Sequence, residues 1–69
     1  MAHPELSNRM KVLRAERDMT QADLAHAAGV TRKTINTIER GIFVPSAVLA
    51  LKIARVFGVS LDDVFTLNK

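Results

Sequence analysis

Only three residues, Gly29-Val30-Thr31, separate two stretches that each carry their own helix punctuation. So short a connection leaves the flanking helices little choice but to cross steeply. The first stretch begins in "MTQADL", with Thr20 in the N-cap place, Asp23 three residues on in the capping-box place, and Met19 and Leu24 spaced as a hydrophobic staple. It runs from Gln21 to Gly29, the residue type suited to the left-handed conformation that follows a helix. The second stretch repeats this grammar, with Val30 before the Thr31 cap and Ile35 at the staple position. It spans Arg32 to about Arg40, and Gly41 closes it.

The same reading predicts three further helices. Pro4 suits a first helical position, Glu5 sits near the positive end of the dipole, and Leu6, Met10, Leu13 and Arg17 follow at helical spacing. This predicts a first helix from Pro4 or Ser7 to Arg17. "FVPSAVLALKIARVFG" supplies a Pro45-Ser46 start and a Gly58 stop. "VSLDDV" pairs Val59 with Val64 as staple and Ser60 with Asp63 as cap and box partner, predicting a short fifth helix over about Leu61 to Leu67. No long strand-period alternation interrupts these signals, so the expected fold class is all-α, a compact five-helix bundle forming one domain over residues 1–69. A chain of this size buries roughly 60% of its unfolded surface. Its stability is then about 3 to 5 kcal/mol unless a partner subunit adds burial.

Several function classes are disfavoured by composition. There is no cysteine, which rules out disulfides, thiolate metal sites and a cysteine nucleophile. The longest apolar run, Ala47 to Leu51, falls far short of the roughly 18 residues of a membrane span, and "MAHPELSNRM" lacks the apolar stretch of a signal peptide. A soluble, cytoplasmic protein without a membrane partner is expected. His3 and His26 are the only histidines, and His26 falls on the outer side of its helix. Ser7, Ser46 and Ser60 are accounted for as helix-start residues, and neither metal-ligand spacing nor a phosphate-cradling glycine loop is present. No catalytic residue, metal, cofactor or small-molecule ligand is expected. Ten Lys and Arg against seven Asp and Glu give a net charge of +3, which tilts the balance toward a polyanion partner.

The helix from Arg32 sharpens that tilt. At about 100° per residue, Thr34, Ile35, Ile38 and Glu39 share one arc and Arg32, Lys33, Asn36, Thr37 and Arg40 the other. Its Thr, Ile and Asn content makes it a poor helix in isolation, so docking of the apolar arc has to hold it. The polar arc carries no Asp or Glu, whereas a merely solvated face mixes signs. Its residue types suit base edges: Arg and Lys for guanine, Asn for adenine, a Thr methyl for thymine. In the fourth helix, Val48 and Leu51 lie off the arc of Leu49, Ile53, Val56 and Phe57. Either helices 1 and 5 cover both faces, or Val48 and Leu51 join Phe65 and Leu67 in a dimer contact.

Taken together, "TQADLAHAAGVTRKTINTIERG" followed by "PS" and "LALKIARVFGVSLDDVF" resembles the Cro and phage-repressor helix-turn-helix family, also called the XRE family. The resemblance runs from about Arg9 to Phe65 through an ungapped motif of Thr20-Gln21, Leu24-Ala25, Gly29-Val30-Thr31, Thr34-Ile35, Ile38-Glu39 and Gly41. It implies a lambda-repressor-like DNA-binding domain with the motif over 21–40 and a recognition helix over 32–40 entering the major groove of double-stranded DNA. Carried over by position, Arg32, Lys33 and Thr37 match base-contacting places, with Asn36 adjacent. Gln21 matches a phosphate clamp at a helix N-terminus, and Thr31, Arg40 and Phe43 match places at the DNA backbone. Arg14 and Glu39 match a structural ion pair between helices 1 and 3. Asp18 departs from the pattern, which commonly has Gly there, and puts the end of helix 1 in question. Regulation by an appended sensor domain is not expected.

The function this implies is a transcriptional regulator, a repressor binding a palindromic operator as a homodimer and associated with the nucleoid when bound. The alternative is a protein-interaction module of the same fold, an antitoxin or anti-repressor, motivated by the extra apolar face of the fourth helix. Single-stranded RNA fits less well, because three Phe with no Tyr or Trp offer little stacking surface.

Overall fold

Side-chain oxygens at the helix starts set where the helices begin. The computed structural model describes residues 5–68, with five helices: α1 (Met10–Glu16), α2 (Gln21–Ala28), α3 (Arg32–Glu39), α4 (Ala47–Phe57) and α5 (Leu61–Val64). The Thr20 hydroxyl accepts the Asp23 N–H at 3.0 Å while the Asp23 carboxylate accepts the Thr20 N–H at 2.9 Å, closing a capping box before α2. Those Thr20 donors, the backbone N–H first and then the hydroxyl, hold the Asp23 carboxyl below its ordinary pKa. The hydroxyls of Thr31 and Ser46 accept the N–H of Thr34 at 3.2 Å and of Leu49 at 3.1 Å, starting α3 and α4. At Ser60, the N–H and the hydroxyl both donate to Asp63 Oδ2, at 3.2 and 3.0 Å. Gly29 ends α2 at φ 75°, a conformation costly for a residue with a Cβ, and turns the Val30 N–H back to the Ala25 carbonyl at 2.9 Å.

All five expected helices are present; two are shorter than their spacing suggested, and a small two-stranded sheet accompanies them. Residues Leu6–Asn8 form strand β1 and Phe65–Leu67 form strand β2, paired antiparallel with Leu6 opposite Leu67, Ser7 opposite Thr66 and Asn8 opposite Phe65. Helix 1 therefore starts at Met10 rather than at Ser7, and helix 5 stops at Val64 rather than near Leu67. Pro4 lies outside the described residues. Asn8 supplies the physical reason at the first end: its Oδ1 accepts the Met10 N–H at 3.1 Å, and its Nδ2 donates to the Ile38 carbonyl at 3.1 Å. At the other end, Phe65 and Thr66 are residue types that favour extended backbone. The Arg9 N–H donates to the Val64 carbonyl at 2.8 Å, and Ser7 Oγ donates to Asn68 Oδ1 at 2.7 Å.

The core lies between these elements. Met10, Leu24, Ile35, Ile38, Ile53 and Val64 are enclosed, and Leu13, Phe57 and the small Ala25, Ala28 and Ala54 complete it. Helix α2 packs against both α3 and α4. Two arginines of α1 and its end tie distant elements together. Arg17 donates from Nε and Nη2 to the Phe57 carbonyl at 3.1 and 2.9 Å, with its guanidinium 5.4 Å from the Phe57 ring, so it caps the C-terminal end of α4. Arg14 meets Glu39 of α3 in a two-pronged ion pair, Nε to Oε2 at 2.6 Å and Nη2 to Oε1 at 3.0 Å, and its Nη1 donates to the Met19 carbonyl at 3.0 Å. With side chains only 13% and 7% exposed, the pair is largely withdrawn from water, and hydrogen bonding to Glu39 raises the Arg14 pKa.

After α1, Asp18 takes the left-handed place at φ 54° while the Met19 N–H returns to the Arg14 carbonyl at 2.9 Å. This is the closing turn for which glycine is the usual residue, and the Asp charge faces the negative end of the helix dipole. Asp18→Asn keeps the left-handed tolerance and removes the charge. It should stabilise the domain by about 0.3 to 1 kcal/mol at low salt, and by less as salt rises. Urea denaturation at two ionic strengths measures this, and a loss of stability would refute the account. Arg14→Met leaves Glu39 enclosed without its partner and should cost about 3 to 5 kcal/mol in the same assay; an unchanged midpoint would show that the pair does not hold α1 to α3.

Candidate nucleic-acid interface

Helix α3 is divided along its length. Ile35 and Ile38 are buried against the core, while Arg32, Lys33 and Arg40 are exposed and Asn36 and Thr37 half-buried beside them. Among the described residues no carboxylate pairs with Arg32, Lys33 or Arg40. The one acidic residue of the helix, Glu39, is engaged by Arg14, so the exposed side of α3 is left cationic.

Two hollows flank that side. An open groove of about 330 Å³ is lined by Gln21, Arg32, Lys33 and Asn36, bringing the start of α2 together with α3. Gln21 Nε2 donates to Glu39 Oε1 at 3.2 Å and to Asn36 Oδ1 at 3.3 Å, extending the Arg14 and Glu39 pair to the polar side of α3. As at any helix start, the first backbone N–H groups of α2 lack intrahelical acceptors, so this end of the groove is also favourable to an anion.

The second hollow, about 350 Å³ and mostly apolar, is lined by Lys33, Thr34, Thr37, Ile42 and Phe43. Its shape comes from the loop after α3. The Thr37 carbonyl accepts N–H groups from both Ile42 at 3.0 Å and Phe43 at 3.3 Å, which folds the loop against the helix. The Thr37 hydroxyl donates to the Thr34 carbonyl at 2.9 Å. With its hydroxyl proton and its carbonyl occupied, Thr37 has its methyl group and the lone pairs of its hydroxyl oxygen left to offer. Phe43 is 48% exposed at the rim. Thr31 sits exposed at the N-cap of α3 and Arg40 exposed at its C-cap, one at each end of this surface. Spacing alone pointed to Arg32, Lys33, Asn36, Thr37 and Arg40; Ile42 was missed because loop residues carry no periodicity.

The apolar residues singled out in the sequence lie on α4 and β2, away from α3 in the chain. Val48 is 64% and Leu51 55% exposed on α4, so neighbouring helices do not cover that face. Phe65 is half-buried and Leu67 74% exposed on β2. Near them an apolar hollow of about 230 Å³ is lined by Leu6, Val44, Ala50, Leu61, Phe65 and Leu67. Val44 and Leu61 were not anticipated as part of this surface, because the sequence reading placed them at a helix approach and a helix start. His26 is exposed, and among the described residues no three His, Cys, Asp or Glu side chains gather as a metal site requires.

Comparison with known proteins agrees with this geometry. The helix-turn-helix family model matches residues 10–64. An uncharacterized HTH-type transcriptional regulator of Methanocaldococcus jannaschii is 48% identical over 60 residues, spanning 87% of this chain and 91% of its own. The crystal structure of the restriction-modification controller protein C.AhdI from Aeromonas hydrophila superposes with a TM-score of 0.74 at 28% identity, over 78% of this chain and 82% of that one. That of SinR, the master regulator for biofilm formation, in complex with DNA, superposes with a TM-score of 0.71 at 33% identity, over 77% and 86%. The chain thus belongs to the helix-turn-helix family of DNA-binding transcriptional regulators of the Cro and phage-repressor type.

Proposed function

We propose that the protein is a repressor that binds a palindromic operator as a homodimer, each α3 lying in the major groove of one half-site. The observation that carries this reading is the exposed side of α3, cationic along its length because its single carboxylate is held by Arg14. In this reading Arg32, Lys33, Asn36 and Thr37 meet base edges. Thr31, Arg40, Phe43 and the α2 start at Gln21 meet phosphates on either side. A second copy is proposed to cover the apolar surface of Val48, Leu51, Phe65 and Leu67. The size of the domain supports that arrangement: its Cα extents of 29 × 23 × 22 Å let two abutting copies set their recognition helices about 34 Å apart, one turn of duplex. No helix among the described residues is long and apolar enough to cross a membrane, in keeping with a cytoplasmic, nucleoid-bound role.

Selection of bound sequences from random duplex, with sedimentation equilibrium of the free protein, tests the proposal. The expected outcome is a dimer and a two-fold symmetric consensus, with affinity falling steeply as salt rises. Arg32→Ala and Lys33→Ala should each cost about 1 to 3 kcal/mol on the selected site and relax base preference there. Equal losses on selected and random duplex would remove both residues from base reading. A monomer blind to duplex would favour the reading in which the α4 surface serves a protein partner, as in an antitoxin or anti-repressor.

A further inference from the structure

The hollow between α3 and the loop that follows it is mostly carbon, on a surface that is otherwise cationic. Ile42 and Phe43 line it with apolar side chains, and the two threonines that line it have most of their polar atoms engaged within the protein. The Thr37 hydroxyl proton goes to the Thr34 carbonyl, the Thr37 carbonyl takes two loop N–H groups, and the Thr34 hydroxyl pairs with that of Thr31 at 3.0 Å. Lys33 is the one charged residue lining the hollow; it is exposed and, among the described residues, has no carboxylate partner.

The occupant therefore has two conditions to meet. Lys33, with Arg32 and Arg40 on the same helix side, favours a polyanion, while the hollow favours an apolar group that has no hydrogen bond to make. Along the major groove of a duplex one base substituent meets both: the methyl on C5 of a pyrimidine, present on thymine and absent from cytosine. Guanine, adenine and cytosine show only donors and acceptors there, and against carbon those groups would lose water without gaining a partner.

We infer that the hollow of Thr34, Thr37, Ile42 and Phe43 seats the C5-methyl group of a pyrimidine, so that the protein reads the methyl itself, on thymine and on 5-methylcytosine alike. This rests on the proposed placement of α3 in the major groove. It gives the loop a part in base choice, beside the backbone contact proposed for Phe43. It also makes the protein responsive to a chemical mark: methylation of a cytosine at this place strengthens binding with no change of sequence.

The experiment exchanges single methyl groups on the duplex recovered by selection. Each thymine is replaced in turn by uracil, which lacks only that methyl, and affinity is measured by titration. One position in each half-site should lose about fourfold, the effect of withdrawing one apolar carbon from its contact. With cytosine paired to guanine at that position, 5-methylcytosine should bind about fourfold better than cytosine. In Ile42→Ala, and separately in Phe43→Ala, both ratios should narrow to about twofold or less, while ratios for methyls elsewhere stay as they were. Each ratio compares two duplexes on one protein, so a variant's lost stability or lost phosphate contact cancels. A site with no thymine at which the uracil exchange is felt, a uracil effect that survives both loop variants, or 5-methylcytosine bound no better than cytosine would each overturn the inference while leaving the major-groove placement intact. Equal affinity for selected and random duplex would overturn that placement, and the inference with it.

Discussion

The contact between Arg14 and Glu39 is where this small domain spends its largest electrostatic commitment. Two charges brought out of water are costly unless geometry and further hydrogen bonds compensate, and here every prong of the guanidinium has an acceptor. The pair links α1 to the last turn of α3 and, through Met19, to the turn that leads into α2. Its second effect is on the surface. A carboxylate at the end of α3 would repel an anion, and its capture by Arg14 removes that repulsion without removing the residue.

Around that contact, the architecture follows from having little apolar material. Enclosed side chains come from all five helices, so no helix is stable without the others. Alanines in α2 and α4 let helices approach closely where larger side chains would hold them apart. The sheet adds few buried atoms, but it draws together two segments distant in sequence and, through Asn8, also reaches the end of α3.

What was legible in the sequence was local. Thr20, Thr31 and Ser46 each bond an N–H three residues on, and Gly29 and Gly58 each close a helix from within its last turn, so those limits could be read from neighbouring residues alone. The sheet could not, because Ser7 and Thr66 meet across 59 residues and three-residue strands leave no periodic trace. Leu6 and Met10 at helical spacing were misleading for the same reason: pairing at one end of the chain overrode a local pattern at the other. For the candidate site, periodicity separated the exposed side of α3 from its buried one, since that depends only on angle. The bond from Gln21 to Asn36 depends on how α2 and α3 cross and on which way two amides face, neither of which a linear pattern carries.

The double use of the Thr37 carbonyl has a thermodynamic meaning beyond shaping a hollow. Both N–H groups it accepts belong to the loop, so residues 42 and 43 are held to α3 before any ligand arrives. Segments that must be ordered on contact subtract that ordering entropy from affinity and slow productive encounter. Here two hydrogen bonds already tie the loop to the helix, and that ordering belongs to folding, so any ligand meeting this edge would meet a preformed shape.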